Sequence, residues 1–126
     1  MDSIDLKNNL AQFTGSEQVF FNPLNKRVNY TDGVRFFARN AGGGAYWLLD
    51  ILVTQPEILK GVKEHGFCVV ILKVIGSVGH LTVARDYDGE SFDGVAYTRS
   101  IDFTDCPEGE WKFYFVDNTI LLPSEY

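Results

Sequence analysis

The spacing of apolar residues changes character near Gly66. Before it, apolar positions recur at helical intervals; after it, they alternate. Leu6, Leu10 and Phe13 fall at i, i+4 and i+7, which predicts a first helix capped by Ser3, running through Phe13 and ended by Gly15. Val19 to Phe21 is a short apolar run stopped by Asn22-Pro23, as for a brief edge strand or an extended loop. Thr31 is the next N-cap, with the charge of Asp32 meeting the positive end of the helix dipole. That helix is expected to reach about Ala41, where Gly42, Gly43 and Gly44 break it. A third helix is expected from Ala45 to about Gln55. Pro56 then opens a further helical stretch carrying Ile58 and Leu59 and ending by Gly61 or at Gly66.

Phe67 to Ile75 is apolar nearly throughout, the signature of a central strand covered on both sides. Gly76 to Gly79 reads as a turn. His80 to Tyr87 alternates with Leu81, Val83 and Tyr87 on one side, and Asp88 to Gly94 reads as a polar hairpin loop. Val95, Tyr97, Ile101 and Phe103 alternate with polar or small residues, Pro107 and Gly109 mark a turn, and Trp111, Phe113 and Phe115 alternate again. Asp117-Asn118 suits a two-residue turn with positive φ before Ile120 to Leu122. Helices first and strands second predict an α+β fold: N-terminal helices packed on a C-terminal antiparallel β-meander of four to five strands, in a single domain over residues 1–126.

Composition narrows the function. Seventeen acidic against eleven basic residues give a net charge of −6, which argues against the basic footprint that nucleic acid demands. The longest apolar run ends at Lys73, too short to cross a bilayer, and the start MDSIDLKNNL lacks the basic and apolar regions of a secretion signal. The two cysteines, Cys68 and Cys106, form no CxxC, so free thiols in a reducing cytoplasm are expected. No cofactor is called for.

The chemistry-bearing candidates concentrate between Tyr30 and Leu52. The glycine run before a helix could hold an anion on its backbone N–H groups, but the GxxxxGK[ST] spacing is missing, which favours a plain interhelix connection. Asp86 to Gly94 is rich in oxygen ligands, yet its glycine is misplaced for an EF-hand and a solvated hairpin tip fits better. His65 and His80 stand alone, with His65 placed at a helix end. Arg85 and Arg99 fall in phase with the apolar sides of their strands. Either a bulge or snorkelling turns them outward, or they face acids, Asp32 and Asp50 being the candidates, in a polar pocket where Arg99 binds an anion. Trp47, Asp50, Ile51 and Thr54 share one helical side next to the Leu48, Leu49, Leu52 side, so Tyr46 and Trp47 are either core or an exposed aromatic patch for a partner.

Four pieces in order, Tyr30–Val34 (YTDGV), Ala45–Asp50 (AYWLLD), Asp102–Pro107 (DFTDCP) and Leu122–Tyr126 (LPSEY), resemble an uncharacterised family of small bacterial proteins found also on plasmids and phages. The resemblance covers most of the chain from Gln12 onward and implies one domain with no activity to carry over. The run Gly42-Gly43-Gly44 departs from the family pattern, so no role is carried over to that loop. The aromatic end predicts that Tyr126 packs on the body with its carboxylate paired. The reading is a cytoplasmic binding or interaction protein, with an unknown protein partner or a homodimer through a strand edge or aromatic face, and with neither nucleic acid nor membrane as partner. In a narrower form it is an accessory protein of a mobile element. The alternative is a small enzyme or anion-binding protein with a pocket lined by Tyr30, Asp32, Asp50 and Arg99.

Overall fold

The first helix, α1 (Ser3–Leu10), starts one residue earlier than its pattern suggests, because the Asp2 side chain accepts from the Asp5 N–H at 2.8 Å. It also ends before Phe13. Beyond Leu10 the backbone tightens into i→i+3 bonds, Gln12 N–H to Asn9 and Phe13 N–H to Leu10. The structure, a computed structural model, describes residues 1–15 and 18–126.

A β-hairpin follows, β1 (Val19–Asn22) and β2 (Asn25–Thr31). Asn22 turns it by accepting the Leu24 N–H on its side-chain oxygen at 2.8 Å. Then come α2 (Asp32–Asn40), α3 (Tyr46–Thr54) and α4 (Pro56–His65), the last closed by Gly66 at φ +72°. Five strands complete the chain: β3 (Phe67–Ile75), β4 (Val78–Tyr87), β5 (Phe92–Ile101), β6 (Gly109–Val116) and β7 (Thr119–Leu121), with a short 3-10 turn at Pro123–Glu125. Asp117 takes the positive φ, +53°, in the β6–β7 turn.

The α+β class holds, but the expected antiparallel meander of four to five strands is corrected to one mixed sheet of seven strands in the order β1-β2-β7-β6-β3-β4-β5. Two facts account for the difference. β2 is polar by sequence, because only Val28, Tyr30 and Thr31 of its seven residues are buried. Its pairing with β7 is parallel, so it joins segments far apart in the chain, Asn29 with Thr119 and Tyr30 with Ile120. β6 also returns past β4 and β5 to pair with β3, which makes β3 central.

Register explains why β3 is apolar throughout. Cys68, Val70 and Leu72 lie opposite Phe115, Phe113 and Trp111 and are buried with the helices in the main core. Val69 and Ile71 face the other way, under Tyr87 with Phe67, Phe92 and Tyr114 around them. In the main core the Phe37 ring stands edge-on to Phe113, centroids 4.9 Å apart, with Trp111 at 5.5 Å. The β4–β5 ladder slips between Val83 and Ala84, leaving Ala96 as an extra residue on β5. Beyond that slip Tyr87 joins Val69 and Ile71, not Leu81 and Val83 as simple alternation implies.

The C-terminal turn holds α2. Thr31 Oγ1 accepts from the Val34 N–H at 3.4 Å and donates to Glu125 Oε1 at 2.6 Å. The same carboxylate accepts from the N–H of Gly33 at 3.3 Å and of Leu122 at 3.0 Å. An anion here satisfies orphan donors at the positive end of the helix. The packed residue of the tail is therefore Glu125. Tyr126 is corrected to 73% exposed, touching Tyr114 and Phe67 edge-on at 5.3 and 5.9 Å, with its terminal carboxylate in no ion pair among the described residues.

Gly33 has no room for a side chain, since an added Cβ would sit 2.6 Å from Glu125 Oε1 and Leu122 Cδ1. Gly33→Ala is expected to lower stability by ~1 kcal/mol or more, against the ~1 kcal/mol that helix propensity alone would add. Glu125→Ala should cost about as much, or about 3–6 °C in melting temperature. In Gly33→Ala/Glu125→Ala the two losses should not add, because both break the same contact. Thermal melts of the three variants check this; a Gly33→Ala protein more stable than the parent would remove the role given to Glu125.

Candidate functional site

α3 buries Leu48, Leu49, Leu52 and Val53. Helical period then carries Trp47, Asp50 and Ile51 to its outward side. There they meet β5 and the loop that follows it, around a cleft of about 530 Å3 that Arg99, Ile101 and Phe103 line from the sheet side. Arg99 stands opposite Leu81 and Ile101 opposite Gly79 in the ladder, which aims both to the helix side of the sheet. Gly79 leaves room for this, since a Cβ there would lie 3.3 Å from Ile101.

Polar contacts fasten two of the residues that line the cleft, Asp50 and Asp105. Asp50 Oδ1 accepts from the Asn22 amide at 2.9 Å, and Asn22 is buried at the hairpin turn. The glycine run does receive an anion, and that anion belongs to its own chain: the Gly43 N–H donates to Asp105 Oδ2 at 2.8 Å. Gly42 and Gly44 adopt φ of +59° and +123°, and a Cβ on Gly42 would run into the Asp105 carbonyl and carboxylate. The loop is thus a fastened joint between α2 and α3. The residue before Asp105 is anchored as well, the Thr104 N–H donating to the Ser77 carbonyl at 2.8 Å.

Of the residues expected from sequence, Trp47, Asp50 and Arg99 meet in this cleft. Trp47 is half-buried, resting on the core with one side on the cleft, and Tyr46 beside it is 41% exposed. Tyr30 is buried among core residues with its ring 5.8 Å from Phe20. Burial pushes its phenol above the usual value, Tyr46 and Asp50 push the same way and Arg35 opposes. Asp32 lines a different concavity with Arg35 and Arg39, its Oδ1 enclosed without a hydrogen-bond partner among the described residues. Arg85 takes the outward alternative: it is exposed and ion-paired with Asp93 beyond the β4–β5 slip. The expected pocket of Tyr30, Asp32, Asp50 and Arg99 is therefore not assembled; only its Asp50–Arg99 half lines one cleft.

Three contributors were not legible. Phe103 belongs to no strand and is 74% exposed, although alternation placed it on β5. Asp105 and Asn22 look like ordinary loop acids and amides. Each lies one or two positions before a proline, and Asp105 also falls in the DFTDCP piece of the family resemblance. Among the described residues no group of three or more His, Cys, Asp or Glu side chains could hold a metal, and no helix is long and apolar enough to cross a membrane.

Both thiols are buried and free. Burial pushes the Cys106 thiol up to about 12, with Asp105 adding to the shift, and burial raises Cys68 as well.

The chain belongs to a family of unknown function (DUF6876), whose sequence model matches residues 4–126. No curated protein and no solved structure matches it.

Gly42→Ala is expected to destabilise by ~2 kcal/mol or more, since it combines a left-handed φ with a clash, while Gly43→Ala should cost less. Denaturant midpoints of the two variants check the order. Cys106 supplies a pH dependence. Its folded-state pKa lies above the ordinary 9.0, so its contribution is complete below pH 9 and lost as pH rises toward 12. Native protein at pH 8 should react slowly with a thiol reagent and rapidly after denaturation. Fast native labelling of Cys106 would contradict its burial.

Proposed function

We propose that this chain, as a member of a family of unknown function, is a protein-interaction module that takes an extended segment of a protein partner along the outer edge of β5 and seats an apolar side chain of that segment in the cleft between Trp47, Ile51, Ile101 and Phe103. The observation that carries the reading is Phe103: a large apolar side chain, 74% exposed, just past the end of a terminal strand and on a cleft. A strand edge offers backbone hydrogen bonds, and a side-chain pocket at its end adds selectivity. The N-terminal half of β5 is a poor edge, because the slip at Ala96 and the φ of +66° at Gly94 bend it. That leaves Tyr97 to Ile101 regular, long enough for a short peptide and short for pairing two whole strands. A single foreign segment therefore suits this edge better than a second copy. A cytoplasmic setting, action without a cofactor and an accessory role on a mobile element complete the same reading; the last rests on the family resemblance alone.

A second reading is favoured by Asp50 and Arg99 lining the same cleft. It makes the cleft a site for a small anion held by Arg99, with Asp50 fixed by Asn22.

The two readings separate in one set of measurements. Peptides selected from a random display library on the parent protein should share an apolar or aromatic position. They should shift the amide resonances of Tyr97 to Ile101 and bind Phe103→Asp and Ile51→Asp at least tenfold more weakly, since each variant puts a charge in an apolar contact. Peptides that bind both variants as tightly as the parent would sink the interaction reading. Stabilisation by phosphate or carboxylates that Arg99→Ala abolishes would select the anion reading. The free protein should sediment as a 14.2 kDa monomer; a dimer dissociated by Phe103→Asp would make a second copy the occupant.

A further inference from the structure

A separate cleft of about 500 Å3 opens where β2 parts from the rest of the sheet. β2 has seven residues, yet only Asn29 and Tyr30 pair with β7. Along Asn25 to Val28 the strand has no neighbour on that side among the described residues, and the gap is bounded instead by the end of α4 and by the β6–β7 turn. The turn is fastened to the helix end, the Asp117 N–H donating to the Gly66 carbonyl, and to β2, the Asn29 N–H donating to the Asn118 carbonyl at 2.8 Å. The gap is therefore framed on three sides.

Its lining has two characters. Val28, Val62 and Phe115 form an apolar floor, each of them buried, and Leu59 extends it. Arg27 and Lys63 stand on the rim from opposite sides, one on the strand and one on the helix. Neither has an ion-pair partner among the described residues, although the chain carries seventeen acids for eleven bases. Asp117 shares the rim without reaching either cation to within 4 Å. The volume falls within the range of small-molecule sites, which are mostly apolar with a few placed polar groups.

We propose that this cleft binds an organic anion with an apolar body, of the medium-chain carboxylate class. The head would sit between Arg27 and Lys63 and the body on Val28, Leu59, Val62 and Phe115. The charge sign follows from the two unpaired cations, and the apolar body follows from a floor that inorganic anions would leave uncovered. The site is independent of the β5 edge and stands or falls apart from the interaction reading.

Decanoate is the probe, with decyltrimethylammonium as its cationic counterpart and inorganic phosphate as the bare anion. Decanoate should bind saturably in calorimetry and shift the amides of Val28, Val62 and Phe115 but not those of Tyr97 to Ile101. Arg27→Gln/Lys63→Gln should weaken it at least about tenfold, the scale of one charge-assisted hydrogen bond. Both residues are exposed, so this variant should keep its fold and its melting temperature. Leu59→Trp, which fills the floor, should abolish binding while the parent's amide spectrum is otherwise kept. Phosphate should bind far more weakly than decanoate, and decyltrimethylammonium should leave the three floor amides unmoved. Equal binding of the cationic and anionic chains, an unchanged affinity in the double variant, shifts confined to the other cleft, or no saturable binding would each overturn the proposal.

Discussion

Two residue pairs, Asn29–Thr119 and Tyr30–Ile120, join the N-terminal hairpin to the sheet. The start of α2 depends on this narrow parallel contact. It sets where β2 ends, hence where Thr31 can cap α2, hence where Phe37 meets Phe113. Two backbone pairs are little to hold a seven-strand sheet together, and side chains reinforce them. Thr119 Oγ1 donates to Asn29 Oδ1 at 2.6 Å, and Glu125 closes over the start of α2 next to the same strand. Polar contacts that would be worth little on an open surface matter here, because they fix one register where a slip would turn the core residues outward.

Acids do similar work elsewhere. Asp50 takes an amide from Asn22, Asp105 takes a backbone N–H from Gly43, and Glu125 takes two backbone N–H groups and a hydroxyl. In each case the carboxylate answers neutral donors at a turn or a helix start. The alternative in which Asp32 and Asp50 answer the arginines overlooked this use. An arginine in phase with an apolar strand side looks as though it needs a countercharge, but the slip after Val83 turns Arg85 out, and Arg99 reaches the rim of its cleft.

What was legible in the sequence is what local chemistry decides. The Thr31 cap, the glycine break after α2, Pro56 opening α4, Gly66 closing it and the apolar run of β3 are each set by residues within a few positions. β2 was hidden because Asn25, Lys26, Arg27 and Asn29 make an edge-like polar strand whose reason to exist is a partner some ninety residues away. The Ala96 slip was hidden for a related reason, since one extra residue leaves no mark on composition yet inverts the phase beyond it. Of the candidate site, the α3 side, Trp47 and Asp50, was readable from helical period. The opposite wall, with Phe103 and Asp105, sits on a loop whose course only its long-range anchors define.

The contact between Thr31 and Glu125 spans 94 positions of sequence. Its consequence is kinetic. The β3–β4 and β4–β5 hairpins and the helices close short loops and can form early, whereas β2–β7 closes the longest loop of any strand pairing for only two backbone pairs and a cap. Loop-closure entropy makes it the pairing expected to form last and reopen first. The hairpin β1–β2 would then be the piece to loosen as a unit, and with it the Thr31 cap of α2.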